Sequence, residues 1–276
     1  MYALIWLALV AHAAHLILGG RWTGRGATGL TVVAWGALTI ELVMRGLEAG
    51  HWPLTNRYEF SLCFVWAIIA IYLLLEASWP RPEAQSEGRE RRGGVFVLAV
   101  ALVVATYAVT RPASERVISP LLPALRSIWL QVHVLTAMVG YGAVGVATGL
   151  GLMAWVAEWR VEIGDYELRL PPGEEIERVM ERALALGFPW LTLGILTGTI
   201  WAQNAWGRYW GWDPKETWAL VTWLWYLLIL HARPLHRWRG RRLATLVVIG
   251  FGLVLFTFAG IPWLVRTVRL ESLHGF

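Results

Sequence analysis

Apolar residues run along this chain in eight long blocks, near 2–20, 27–45, 60–79, 94–110, 130–156, 186–202, 216–232 and 243–265. Each block has the roughly 17–25 residues that a helix needs to cross a hydrocarbon core ~30 Å thick. A lone segment in hydrocarbon can satisfy its own backbone only as a helix. The pattern therefore predicts an all-α polytopic membrane protein of about eight transmembrane helices, with residues 1–276 forming a single transmembrane domain.

The polar stretches set the expected sidedness. Segments 21–26, 80–93, 157–185 and 233–242 hold fifteen of the twenty-four Lys and Arg residues, and the last carries Arg233, Arg237, Arg239, Arg241 and Arg242 with no acid. Cations in short loops stay on the cytoplasmic side. Both termini and segments 46–59, 111–129 and 203–215 are then expected outside. Within 157–185, the stretch 174–186 reads as an amphipathic helix on the membrane surface. The seventh block has a strong start in Asp213-Pro214-Lys215-Glu216. Asp caps, Pro suits the first helical position, and Glu three residues after Asp completes a capping box.

Composition agrees with the pattern: 57% of residues are hydrophobic and only 16% charged, against about 25% charged in soluble domains. The net charge of +5 does not point to nucleic acid, because the cations lie between spans. The expected surroundings are a lipid bilayer. The opening Met-Tyr-Ala-Leu-Ile-Trp has no basic leader, so the first block reads as a retained span. Cys63 is the one cysteine; the chain can form no internal disulfide and carries no CxxCH of its own.

Against this background the stretch 201–225 stands out. It holds seven of the nineteen tryptophans: Trp201, Trp206, Trp210, Trp212, Trp218, Trp223 and Trp225. Interfacial belts explain one or two such residues. Seven, interleaved with Gly207 and Gly211, suggest a platform for a flat apolar ligand. If 201–210 is helical, Trp201, Trp206 and Trp210 share a face. Arg208, Lys215 and the positive end of the seventh helix would attract carboxylates. Haem, flat, apolar and dianionic, fits this combination.

The segment Trp206-Gly-Arg-Tyr-Trp-Gly-Trp-Asp-Pro-Lys-Glu-Thr-Trp218 resembles the WWD signature of haem-handling proteins in cytochrome c biogenesis, and 201–218 is read as that WWD segment. The flanks, Gly194-Ile-Leu-Thr-Gly-Thr-Ile-Trp201 and Leu230-His231-Ala-Arg233, resemble the CcsA (ResC) family of the system II cytochrome c synthase. Pro53-Leu-Thr-Asn56-Arg-Tyr58-Glu59 is similar to that family's outer Asn-x-Tyr-Glu element.

The resemblance assigns roles to three of the seven histidines. Trp129-Leu-Gln-Val-His133-Val134 matches the family's Trp-Leu-x-x-His-Val, which implies that His133 is an axial ligand of an external haem. Ser272-Leu-His274-Gly-Phe276 parallels the family's Gly-Leu-His-Ser-Tyr and implies His274 as the second ligand. His231 lies ~22 Å deeper than Glu216 at 1.5 Å per residue. There the family has a transmembrane haem ligand whose partner comes from a CcsB (ResB)-type subunit. The implied cargo is haem b, and the implied activity is that of a holocytochrome c synthase-type lyase. It would move haem outward and present it for thioether attachment to the CxxCH segment of apocytochrome c.

On that view His133, His274 and Asp213 are the catalytic residues, Trp201, Trp206, Trp210, Trp212 and Trp218 hold the macrocycle, and Arg208 and Lys215 hold its propionates. Asn56, Tyr58 and Glu59 either orient the substrate or cap and anchor a helix. His12 and His15 read as packing or interhelical hydrogen-bonding groups; His51 and His236 read as solvated. Two other readings stay open. A CcmC-type haem chaperone would share the Trp loop, and a b-type cytochrome would place paired histidines at matched depth on facing helices.

Overall fold

The computed structural model describes residues 1–79, 89–118, 123–158, 162–163, 166–167, 170–236 and 238–268. Their helices are α1 (Tyr2–Leu18), α2 (Arg21–Ala49), α3 (Arg57–Ala77), α4 (Gly94–Val109), the single turn α5 (Ala113–Arg116), α6 (Ile128–Glu158), α7 (Gly173–Trp206), α8 (Pro214–His236), α9 (Gly240–Leu255) and α10 (Ile261–Val268). A two-residue hairpin, Glu162–Ile163 with Tyr166–Glu167, joins α6 to α7. Each of the eight apolar blocks falls on a helix. Among the described residues six helices are long and apolar enough to cross a membrane: α2, α3, the Arg91–Val109 helix, α6, α7 and the run Gly240–Thr267. α1 is a shorter apolar helix of 17 residues. α8 begins with Lys215 and Glu216 and ends on a His-Ala-Arg-Pro stretch, which lowers its apolarity.

Two elements differ from expectation. Residues 174–186 do not form a separate surface helix; they are the first turns of the 34-residue α7, which continues through Pro189. Ile176, Val179, Met180, Ala183 and Leu184 recur at helical spacing and are buried, so the amphipathic face packs inward. The eighth block is broken by a π-helical stretch, Phe256–Gly260, between α9 and α10.

α6 is the hub and packs against α3, α4, α7 and α9. Helices in hydrocarbon gain little from apolar burial against one another, so close backbone approach through small residues takes over. At Gly142 a Cβ would lie 2.7 Å from the Ala67 Cβ and 2.9 Å from its carbonyl carbon, and at Gly149 it would lie 2.7 Å from the Val97 Cα. These glycines let α3 and α4 seat against α6.

The bundle has two polar ends. At one, Tyr2 meets Thr106, Arg45 meets Glu59, and His133 stacks on Trp201; this is the tryptophan end. At the other, His15 meets Thr23, Thr28 donates to Glu76, and the Arg241 amide donates to Glu158. His12 is buried there, its Nδ1–H donating to the Arg91 carbonyl (3.0 Å) while Nε2 meets the Thr31 hydroxyl (3.1 Å).

Candidate functional site

α7 stops at Trp206 because Gly207 takes the left-handed conformation, φ 74°, that ends helices most readily. Trp206 and Trp210 therefore do not share a helical face. The loop that follows is closed by its own polar groups. Glu216 Oε2 accepts from the amides of Gly211 (2.8 Å) and Asp213 (3.2 Å), while Asp213 Oδ1 accepts from the Lys215 amide (2.9 Å). This is the expected capping box, extended by one amide. It holds Trp212 at φ 58°, a conformation that a bulky residue adopts only under constraint. Because these amides are engaged within the loop, the start of α8 offers fewer donors to a ligand than its dipole suggests. Glu216→Ala removes two of these bonds and is expected to cost about 1–2 kcal/mol. Denaturant melts should show the loss; an unchanged midpoint would mean that packing, not the cap, shapes the loop.

Beneath the loop lies a cleft that is open to the outside. Its wall combines α6, α7, the loop, α8 and the π-helical stretch. It includes His133, Tyr141, Gly194, Trp201, Trp210, Lys215, Trp223, Thr257 and Phe258. The lining is mostly apolar with few polar groups, the usual character of a small-molecule site.

His133 is held from two sides. Its Nδ1–H donates to the Gly194 carbonyl at 2.7 Å, and its ring stacks on the buried Trp201 indole at 7° and 6.1 Å between centroids. A carbonyl can only accept, so in the neutral ring the lone pair sits on Nε2. Backbone carbonyls orient metal-binding imidazoles in this way. Gly198 makes room for the ring, since a Cβ there would lie 2.8 Å from Nδ1. Lys215 is half-buried beside the cleft. Burial, together with the nearby Arg57 guanidinium, pushes its ammonium down to about 8, so it carries full charge only below that pH.

The model of the family described as cytochrome C assembly protein matches residues 54–269, which span the cleft and every helix that lines it. The chain belongs to this family. Among its relatives are CcsA cytochrome c biogenesis proteins. That of Parasynechococcus marenigrum is 36% identical over 81% of this chain and 79% of its own length. That of Gloeobacter violaceus is 32% identical over 99% of this chain and 91% of its own. The fold is similar to that of a solved cytochrome c heme lyase, CcmF, with a TM-score of 0.63 at 17% identity, covering 99% of this chain and 50% of the other. This is a CcsA-family protein of cytochrome c biogenesis.

In this CcsA-family chain the residues singled out in the sequence do not all meet. His133, Trp201, Trp210 and Lys215 line the cleft. Trp206 stands edge-on to Trp201 at 4.7 Å and supports it from behind. Trp218 packs edge-on against Phe256 at 4.6 Å. Trp212 is 70% exposed and meets Trp210 edge-on. Arg208 is exposed and folds over Gly211, where a Cβ would lie 2.5 Å from the guanidinium carbon.

The remaining residues lie away from the cleft wall. Asn56 caps α3 by accepting from the Glu59 amide at 2.9 Å. Glu59 is buried and bound to Arg45 and to Thr55, and the Tyr58 hydroxyl donates to Glu41 at 2.8 Å. These three residues organise the entry to α3, and it is Thr55 that lines the cleft. His231 is exposed on α8, its Nδ1–H donating to the Leu227 carbonyl at 2.9 Å. His274 lies outside the described residues.

Several lining residues carried no signal in the sequence. Thr222 and Thr257 pair across the wall at 3.1 Å. Thr257 and Phe258 come from the π-helical stretch, and such stretches are frequent at functional sites. A single Thr or Phe inside an apolar block looks like ordinary span composition.

Proposed function

We propose that this protein carries haem through the membrane and presents it at the tryptophan end, outside, for attachment to the CxxCH segment of an apocytochrome c. The observation that carries the reading is His133: an imidazole with its Nδ1–H committed to a carbonyl, backed by a parallel indole, in an apolar cleft within a CcsA-family fold. In this reading its Nε2 binds the haem iron on one side and His274 binds on the other. Trp201 and Trp210 contact the macrocycle, and the capped loop closes over one edge. Asp213 acts through the cap and is a positioning residue.

Eight spans with both termini outside accord with the loop charges. His231, exposed on the flank of α8, is then available to a haem shared with a CcsB-type partner. An ionisable group facing lipid is costly unless something covers it.

The chemistry at the outer face needs no nucleophile from this chain. Each cysteine S–H of the apocytochrome adds across a haem vinyl group. An S–C bond forms, the C=C becomes a single bond, and the thiol proton ends on the other vinyl carbon. The protein contributes positioning and exclusion of water.

The test is co-expression with a CcsB-type subunit and an exported CxxCH reporter. Covalent haem should appear on the reporter only when both membrane proteins are present. A chain that retains haem yet transfers it to a carrier without thioether formation would instead be a CcmC-type chaperone. Haem reduced and reoxidised in step with a quinone pool, with no transfer at all, would indicate a b-type cytochrome.

A further inference from the structure

The cleft stops short of the level of His231. Its wall ends at Tyr141 on α6, at Leu191 on α7 and at Trp223 on α8. His231 follows Trp223 by eight residues on the same helix, ~12 Å deeper at 1.5 Å per residue. Where the cleft ends, Trp223 ties α8 to α7. Its Nε1–H donates to Thr192 Oγ1 at 2.8 Å, and its indole stacks on the Phe188 ring at 5.4 Å and 26°. The Thr192 hydroxyl donates its own proton to the Phe188 carbonyl at 3.0 Å, so toward Trp223 it acts as acceptor. Neither Phe188 nor Thr192 belongs to the cleft wall; with Trp223 they close the gap between the two helices at its floor.

The two sides of this contact are not equally free. α7 is seated on α6 through glycines at the same level. A Cβ on Gly140 would lie 2.9 Å from the Leu191 nitrogen, and one on Gly187 would lie 3.0 Å from the Ala143 Cβ. Helices this close cannot part without unpacking the hub. α8 packs far less on α7 than α6 does, and Phe188, Thr192 and Trp223 are all half-buried. The movable part is therefore the Trp223 side chain. One neutral hydrogen bond and one ring contact hold it to α7, each weak enough to break and re-form thermally.

We propose that Trp223, Thr192 and Phe188 form a gate in the cleft floor, which opens as the indole swings off α7 and lets haem pass from the level of His231 to His133. This rests on the haem reading above and extends it by naming the barrier on the route. Closed, the gate keeps haem at the outer site long enough to meet a CxxCH segment.

The test uses the full chain reconstituted with its CcsB-type subunit in vesicles that enclose apomyoglobin. Haem is added outside, and its arrival on apomyoglobin is followed by absorbance. Thr192→Val keeps the shape and removes the acceptor; Trp223→Phe keeps a ring and removes the donor. Each should speed transfer about fivefold over wild type, the weight of one net hydrogen bond. The double variant should be no faster than Trp223→Phe alone, because both changes delete the same bond. A generally loosened fold would instead make the two effects multiply. Trp223→Ala loses the ring contact as well and should transfer at least about tenfold faster than wild type. Thr192→Val should keep the wild-type spectrum of bound haem.

The gate is overturned if these variants transfer at the wild-type rate, which would put the route on the lipid face of α8 or inside the partner. It is also overturned if the two single effects multiply, or if Trp223→Ala slows transfer. Failure of the underlying haem reading looks different: wild-type vesicles would then carry haem no faster than protein-free ones, and the gate would fall with it.

Discussion

Replacing His133 with alanine is expected to abolish the low-spin haem spectrum of the purified protein and the maturation of a CxxCH reporter, and added imidazole should restore the spectrum. The expectation follows from how completely the ring is placed. Gly194 takes its Nδ1–H, Trp201 covers one face, and Gly198 leaves no side chain in its way. A site prepared in this detail loses its ligand but keeps its shape on truncation, so a free imidazole can enter the space. Gly198→Val gives an independent arm. Its Cβ would begin 2.8 Å from Nδ1, tilting the ring off Gly194 with the imidazole still present. Loss of ligand orientation costs about 10–100-fold in metal affinity, and haem titration measures it. If His133→Ala retained a wild-type spectrum and full maturation, the iron site proposed here would be wrong.

The second large effect is on the scaffold. Gly142→Val should destabilise the bundle, because the new Cβ would press on the Ala67 carbonyl carbon at 2.9 Å and the Ile68 nitrogen at 3.1 Å. Those are backbone atoms, so no rotamer change relieves the contact and α3 must move away from α6. Overpacking of this kind costs roughly 1–3 kcal/mol or more. The corresponding fall in melting temperature is on the order of 5 °C, accompanied by less protein in the membrane fraction. The displacement would also carry Phe60 away from the cleft, so haem retention should fall in parallel. An unchanged melting profile would mean that the α3–α6 contact is loose enough to absorb a whole isopropyl group.

Features set by neighbours along the chain were readable in advance. The eight apolar blocks became helices because a segment in hydrocarbon must satisfy its own backbone. The Asp213–Glu216 cap formed as expected because its hydrogen bonds close within five residues. The WWD segment and the segment around His133 carried the family resemblance, which the match over 54–269 bears out. Reading fell short where a local signal was ambiguous. The amphipathic stretch 174–186 suits a membrane surface or a bundle interior equally well by periodicity, and burial of Ile176 and Met180 decided for the interior. Gly207 could have been read as a helix stop, which would have separated Trp206 from Trp210.

The order of the spans, the capped start of α8 and the family of the protein were thus determined by the sequence itself, since each rests on composition or on contacts a few residues apart. The cleft was decided only by the tertiary structure. His133 meets a carbonyl 61 positions away, Glu115 meets an arginine 151 positions away, and the π-helical stretch brings Thr257 and Phe258 to the same wall. Such pairings depend on how closely α6 lets its neighbours approach. That is a property of glycines spaced along one helix against surfaces elsewhere in the chain, and no local pattern of hydrophobic and polar residues encodes it.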